Sequence, residues 1–221
     1  MKLKVLAPAL LFALQSCAQT NDALIKDISN KLVKGNTTIS NVLSDPSSMS
    51  LHSLTAFREV IKQNAKAEKI RLVTDNEPGT RITVKGIVLD KTGAAQPNLL
   101  VYVYQTSSGG WYSDTAPHIL QNSGDRNHAR LFGYFKTSAD GSFEFETIKP
   151  KGYPRSDLPA HIHIEIDRKN SSSFISELLF DDDPRLLGEI RARAIEQNFI
   201  IEKNTGTAGK PLFFYKIQFP N

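Results

Sequence analysis

The sequence predicts a mostly β protein: a β-sandwich with an N-terminal helical segment in front of it and one short helix near the C-terminus. Three observations carry this expectation. Beyond Asn76-Glu77-Pro78-Gly79 the chain breaks into short runs rich in Val, Ile, Tyr and Phe, separated by Gly, Asp, Asn and Ser, the texture of strands joined by turns. Upstream of that point the apolar residues recur at helical rather than alternating spacing. At 221 residues, 40% of them hydrophobic, the chain buries the core of one domain comfortably, whereas a second independent domain would be cramped.

Taken in order, the elements begin with an address. Lys2 and Lys4 precede the apolar run Val5 to Leu14, too short to span a bilayer and laid out like a secretory signal. The string Leu14-Gln15-Ser16-Cys17 resembles the bacterial lipobox, in which a small residue precedes the Cys that receives the lipid. Residues 1–16 are therefore expected to be a lipoprotein signal peptide, 17–76 a lipid-anchored spacer with helical character, and 77–221 the sandwich domain. This places the protein outside the cytoplasm, membrane-anchored in the periplasm or at the surface of a bacterium. Cys17 is the only cysteine, so the domain forms no internal disulfide. Leu51, Leu54, Phe57 and Ile61 predict a helix capped by Ser48 or Ser50, with His52 on its surface. That helix is also a possible contact for a homodimer.

Strands are expected at Ile82 to Leu89, with Gly86 marking a bulge where the alternation changes parity, and at Leu100 to Gln105, Gly133 to Thr137 and Ser142 to Thr147. Further strands are read at His161 to Ile166, Phe174 to Phe180, Phe199 to Glu202 and Leu212 to Phe219. Asp183-Pro184 opens a short helix with Leu186, Leu187 and Ile190 on one face, Pro being favourable at the first helical position. The formal charge of +4 is spread along the chain with no dense basic run, which argues against nucleic acid and leaves an anionic small molecule open.

Chemistry concentrates in a few residues. Alternation along a strand aims His161 and His163 the same way while Ile162, Ile164 and Ile166 point to the other face. Two imidazoles on one rigid face suit a metal, either zinc or copper with Glu165 as a third ligand on that face, or another ion; a solvated sheet face is the bland alternative. Tyr112 and Tyr153 each sit beside a Gly-containing turn. His118 and His128 fall in the stretch after Tyr112 and read as surface residues.

Gly86 to Asp90, Tyr104-Gln105, Gly110-Trp111-Tyr112-Ser113, Phe135 to Gly141, Ile148 to Pro154 and Pro159-Ala160-His161-Ile162-His163 occur in that order. Over roughly residues 77 to 182, the chain resembles the intradiol ring-cleavage dioxygenases. The resemblance implies the β-sandwich of that family, and Fe(III) held by Tyr112, Tyr153, His161 and His163. It implies a catechol-like aromatic substrate and dioxygen, with the ring opened between its two hydroxyl-bearing carbons. Tyr153 would be the ligand that yields to substrate and accepts its proton, and Tyr104 would line the substrate site. Two positions depart from the family pattern: Leu158 stands where an Arg is usual, three residues before the first His, and Glu177 stands where a Gln is common. Loss of a charged donor aimed at a developing oxyanion costs on the order of a hundredfold in rate, unless Arg155 or Arg130 supplies it from another backbone position. Glu177 is the candidate acid or base. The alternatives from other classes are a binding module that captures catechols, iron complexes or glycans without turnover, and a purely structural surface lipoprotein.

Overall fold

The computed structural model describes residues 9–113, 124–168, 171–207 and 209–220, with side chains from Thr20 onward and, in the short helix at 124–128, from Arg126. The N-terminal part holds α1 (Ala9–Val33), α2 (Ile39–Ser44), a 3₁₀ turn (Pro46–Leu51) and α3 (Thr55–Gln63). The strands are β1 (Ile70–Arg71), β2 (Arg81–Leu89), β3 (Leu100–Gln105), β4 (Leu131–Lys136), β5 (Ser142–Ile148), β6 (His161–Ile166), β7 (Phe174–Phe180), β8 (Ile200–Glu202) and β9 (Leu212–Gln218). Helix α4 (Gly124–His128) precedes β4, and α5 (Gly188–Glu196) lies between β7 and β8.

Two sheets stack, one ordered β1-β5-β2-β9 and the other β4-β3-β6-β7-β8. Alternation supplies the inner faces: Val84, Phe145, Phe213 and Tyr215 from the first sheet meet Val101, Val103, Ile162, Ile164 and Phe180 from the second, all buried in one core, as expected where two half-buried sheets face each other. Phe180 and Phe213 meet edge to face across that gap at 4.8 Å. The N-terminal segment joins the same core. Ile25, Ile28 and Leu32 form a buried stripe on α1, Phe57 and Ile61 do so on α3, and β1 pairs in parallel with β5 through Ile70 and Phe145.

Four sequence expectations are corrected. The helix expected from Ser48 or Ser50 begins instead at Thr55, with Leu54 at its N-cap position; the Ser48 hydroxyl donates to the Val42 carbonyl at 2.5 Å and closes the 3₁₀ turn. His52, expected on the surface, is buried against the rings of Phe57 and Phe132. No bulge occurs at Gly86, because β2 keeps an unbroken register with β5 from Arg81 to Ile87. Glycine is needed there for space: a Cβ would lie 2.3 Å from the Phe143 ring and 2.6 Å from the Tyr215 carbonyl oxygen. Helix α5 starts at Gly188 rather than at Pro184. Asp183 ties the preceding turn down by accepting from the amides of Arg185 and Ala160, burying Leu186 and leaving Leu187 exposed.

Candidate metal centre

The site is built on the outer face of the second sheet, where the parity of β3, β6 and β7 places Tyr104, His163 and Glu177 side by side. His161 enters from the start of β6 and is buried. Its Nδ1 lies 2.8 Å from the Pro159 carbonyl. A carbonyl only accepts, so that nitrogen carries the proton and Nε2 presents its lone pair to the site. His163 stacks flat on Tyr104, ring centroids 4.4 Å apart and planes within 12°, and it too aims Nε2 into the site.

The two tyrosines come from loops stitched to one another. The Thr106 hydroxyl donates to the Lys151 carbonyl, and the Lys151 amide donates to that of Ser107. Gly110 adopts φ +83° and lies so near the other loop that a Cβ would be 2.6 Å from the Gly152 carbonyl oxygen, a backbone shape and a separation suited to glycine. This contact draws the segments bearing Tyr112 and Tyr153 together. The Arg130 amide holds the Tyr112 carbonyl, and the Arg185 guanidinium reaches the carbonyls of Tyr153 and Leu158 at 3.4 and 3.3 Å.

Four donor atoms converge as a result. The Tyr112 hydroxyl lies 2.6 Å from that of Tyr153 and 2.7 Å from His163 Nε2. Tyr153 Oη lies 2.9 Å from His161 Nε2 and 3.4 Å from His163 Nε2, and the two imidazole nitrogens are 3.2 Å apart. A metal bound at about 2.0–2.2 Å sets adjacent donors roughly 2.8–3.5 Å apart for bond angles near 90–110°; the separations of 2.9, 3.2 and 3.4 Å fall in that range, and the two made by the Tyr112 hydroxyl, 2.6 and 2.7 Å, lie just under it. Two phenolic oxygens and two imidazoles are a donor set for a hard, highly charged ion such as Fe(III), whose charge favours the phenolate over the phenol despite an ordinary phenol pKa of about 10.

The carboxylate that groups with the two histidines is Glu177, and not Glu165 as the zinc or copper reading expects. Glu177 faces both imidazoles, 3.7 Å from His163 Nδ1 and 4.0 Å from His161 Nδ1, and these three residues form a compact group of potential metal ligands. Burial pushes its carboxyl above the usual carboxylate range, against the opposing pull of His161. Glu165 is instead held in a two-pronged pair by Arg126 at 2.7 and 2.8 Å. Arg130 makes the same kind of pair with Glu77, Nη2 to Oε1 at 2.7 Å, so its guanidinium lies against a carboxylate beside the site. Arg155 is exposed in the Tyr153 loop, with φ +62°. Leu158, half exposed, and Trp111, just before Tyr112, are apolar side chains on the two loops that carry the tyrosines. His128 is exposed, His118 lies outside the described residues, and Cys17 is within α1 with its side chain outside them. Arg185 and Glu77 gave no signal in the sequence: both act through partners tens of residues away.

Two stacked sheets thus carry a cluster of two tyrosine hydroxyls and two imidazoles on one outer face. A family model described as Dioxygenase matches residues 56–220. Chlorocatechol 1,2-dioxygenase of Rhodococcus opacus is 30% identical over 128 residues, 50% of this chain and 48% of that one. The protocatechuate 3,4-dioxygenase beta chain of Burkholderia cepacia is 33% identical over 127 residues, 52% and 51% of the two chains. This chain thus spans about half the length of the curated relatives it matches. Among solved structures, the dioxygenase domain of a dioxygenase carbohydrate-binding protein fusion from Streptomyces sp. SirexAA-E aligns with a TM-score of 0.54 at 22% identity, covering 70% of this chain and 88% of that one. Catechol 1,2-dioxygenase from Pseudomonas arvilla C-1 aligns at 0.52 and 18%, covering 70% and 56%; both likenesses speak for the fold. The chain belongs to the intradiol ring-cleavage dioxygenase family.

Proposed function

We propose that the protein opens catechol-type aromatic rings between their hydroxyl-bearing carbons with dioxygen, using Fe(III) held by Tyr112, Tyr153, His161 and His163. The observation that carries this reading is the convergence of those four donor atoms at separations of 2.6 to 3.4 Å. Fe(III) there would act as a Lewis acid that binds the catechol oxygens and makes the ring reactive towards dioxygen.

The chain's own residues divide the remaining tasks. Tyr112 is buried and its carbonyl is fixed by the Arg130 amide, whereas Tyr153 is partly exposed on a loop without regular secondary structure. Tyr153 is therefore the ligand able to swing aside, its phenolate oxygen accepting one catechol proton as substrate enters. His161, locked by the Pro159 carbonyl, and His163, stacked on Tyr104, hold the other side of the site still. Glu177 presents a carboxylate beside both imidazoles, placed to orient them. The test is the visible spectrum of the iron-loaded protein followed by oxygen uptake. Broad tyrosinate-to-Fe(III) absorption and oxygen consumption with a catechol support the reading, a colourless protein defeats it, and colour with tight catechol binding but no oxygen uptake across a broad panel moves the protein to the capture module. The basic start, apolar run and Cys17 support a lipid-anchored, exported form, which mass analysis of the mature N-terminus tests. No helix among the described residues is long and apolar enough to cross a membrane.

A further inference from the structure

We infer that Glu77 and Arg130 are positioning residues for Tyr112: their ion pair sets the backbone amide that holds this tyrosine, so a carboxylate outside the donor cluster governs how firmly the site holds iron. This rests on Tyr112 being a metal ligand, as the ring-cleavage reading has it, and goes beyond that reading. The pair is two-pronged, Arg130 Nη1 to Glu77 Oε2 at 2.5 Å and Nη2 to Oε1 at 2.7 Å. It is withdrawn from water, the Arg130 and Glu77 side chains being 13% and 4% exposed. Planar pairing of this kind fixes the direction of a guanidinium as well as its distance.

The pair joins two segments that flank the loop carrying Tyr112. Glu77 belongs to the stretch ahead of β2, where its own amide donates to the Thr74 carbonyl. Gly79 of the same stretch packs on that loop, so closely that a Cβ would lie 3.1 Å from the Ser108 Cβ. Arg130 immediately precedes β4, and its polar groups have separate partners. The guanidinium goes to Glu77, the carbonyl accepts from His52 Nδ1 at 2.7 Å, and the amide donates to the Tyr112 carbonyl at 2.8 Å. On the other side of Tyr112, the Trp111 carbonyl accepts from the Ser107 amide. Tyr112 thus has a backbone anchor before and after it, and Glu77 ties the second of them to the stretch ahead of β2. Deprived of that carboxylate, a buried guanidinium carries a charge without its counter-charge and turns towards water, drawing the backbone at residue 130 with it. The Tyr112 hydroxyl, 2.6 and 2.7 Å from its two neighbours in the cluster, tolerates little such movement.

The experiment compares the full chain with its Glu77→Gln variant, which keeps the side-chain shape and removes the charge. Three quantities are read: the visible absorption of the iron-loaded protein, its iron affinity in competition with a chelator, and hydrogen exchange at the Arg130 amide of the metal-free protein. Exchange at the buried Val88 amide, bonded to the Gly141 carbonyl in the first sheet, reports opening of the whole fold. The expected result is exchange at Arg130 that quickens relative to Val88, a tyrosinate-to-Fe(III) band that shifts and weakens, and iron held roughly tenfold more weakly, the low end of the loss when a ligand's outer support is removed. Both amides quickening together, with band and affinity unmoved, marks an ion pair that only fastens the fold and overturns the inference. Weaker iron binding with unchanged relative exchange at Arg130 also overturns it, because the carboxylate then acts through its charge and not through position. So does freer exchange at Arg130 with iron affinity and band unmoved. Where Glu77→Gln fails to fold, Glu77→Asp, which keeps the charge and shortens its reach by one methylene, is judged by the same outcomes. An unaltered protein that stays colourless with iron overturns the metal-centre reading itself, a failure distinct from a coloured protein indifferent to Glu77.

Discussion

Two polar clusters lie on the same outer face of the five-stranded sheet, and they differ in where their polar atoms point. In one, Arg58 of α3 is buried with its guanidinium over Phe132, 3.8 Å from the ring centroid. It donates to the carbonyls of His52, Ala129 and Arg126 and to the Tyr102 hydroxyl, which itself donates to the Arg126 carbonyl. Each of these donors has an acceptor of the opposite kind. In the other, two hydroxyls and two imidazole nitrogens point at one another. Both clusters are rich in tyrosine and histidine, and the contrast teaches that residue type does not separate a clamp from a binding site. A network that satisfies itself fastens elements together, while donors that converge on a common point leave their lone pairs for something else.

The comparison breaks if the convergent cluster turns out to be the structural one. Replacing Tyr153 by Phe together with His161 by Ala is therefore expected to abolish iron binding, exceeding the roughly 10–100-fold loss typical of changes outside the ligand shell. The stability of the metal-free protein should move by less than about 2 kcal/mol. Metal analysis and a denaturant midpoint check the two halves. Arg58→Met should behave in the opposite way. It takes the Arg58 donor from the carbonyls of His52 and Ala129 and leaves the Arg126 carbonyl with the Tyr102 hydroxyl alone, a buried network broken on one side, and should cost about 3–5 kcal/mol in a denaturant titration. Its metal-loaded form should keep its visible absorption wherever it stays folded.

The convergent cluster was the legible one. Strand alternation alone puts His161 and His163 on one face, and turns containing Gly beside Tyr112 and Tyr153 mark loops able to approach closely, so parity and turn chemistry reach most of the way to the site. The clamp was not legible, because Arg58 looks like any arginine on an amphipathic helix and its acceptors at Arg126 and Ala129 lie about 70 residues away in sequence. His52 was read as a surface residue for the same reason: the rings that bury it come from α3 and β4. Parity also explains the misplaced third carboxylate. It correctly puts Glu165 on the face of the histidines, but only the cross-strand register of β6 with β7 reveals that Glu177 is opposite His163. Helix starts failed where a side chain bonded backward, as Ser48 does to Val42 and Asp183 to the Ala160 amide.

Acid sharpens the comparison next. Burial lowers the pKa of His52 to about 4, a hydrogen bond with the Arg130 carbonyl opposes that shift, and the charges of Arg58 and Arg130 add to it. With an unfolded value near 6.5, the unfolded chain takes up the proton first as pH falls, so stability is full above about 6.5 and declines below it by about 1.4 kcal/mol per pH unit, flattening near 4. Between pH 6.5 and 5, before ordinary carboxylates titrate, the loss should be about 2 kcal/mol. His52→Leu should be less stable at neutral pH yet show a flatter profile over that window, and identical slopes for the two proteins would remove His52 as the acid-sensitive point of the clamp.

The smallest effect probes the seam between the clusters. Tyr104 stacks on His163 on one side and, at 5.3 Å, on Tyr102 on the other, so it is the ring through which the clamp abuts the site. Tyr104→Leu keeps an apolar side chain on the strand but removes the flat surface that fixes the His163 ring. If the clusters are energetically separate, the variant should hold iron about tenfold more weakly, the low end expected when a ligand loses an outer support. Its unfolding midpoint without metal should stay close to that of the unaltered protein, because Tyr102 keeps its bonds to Arg58 and Arg126. A loss of several kcal/mol with iron affinity intact would instead make Tyr104 part of the clamp, and would move the boundary between fastening and binding one residue closer to the metal ligands.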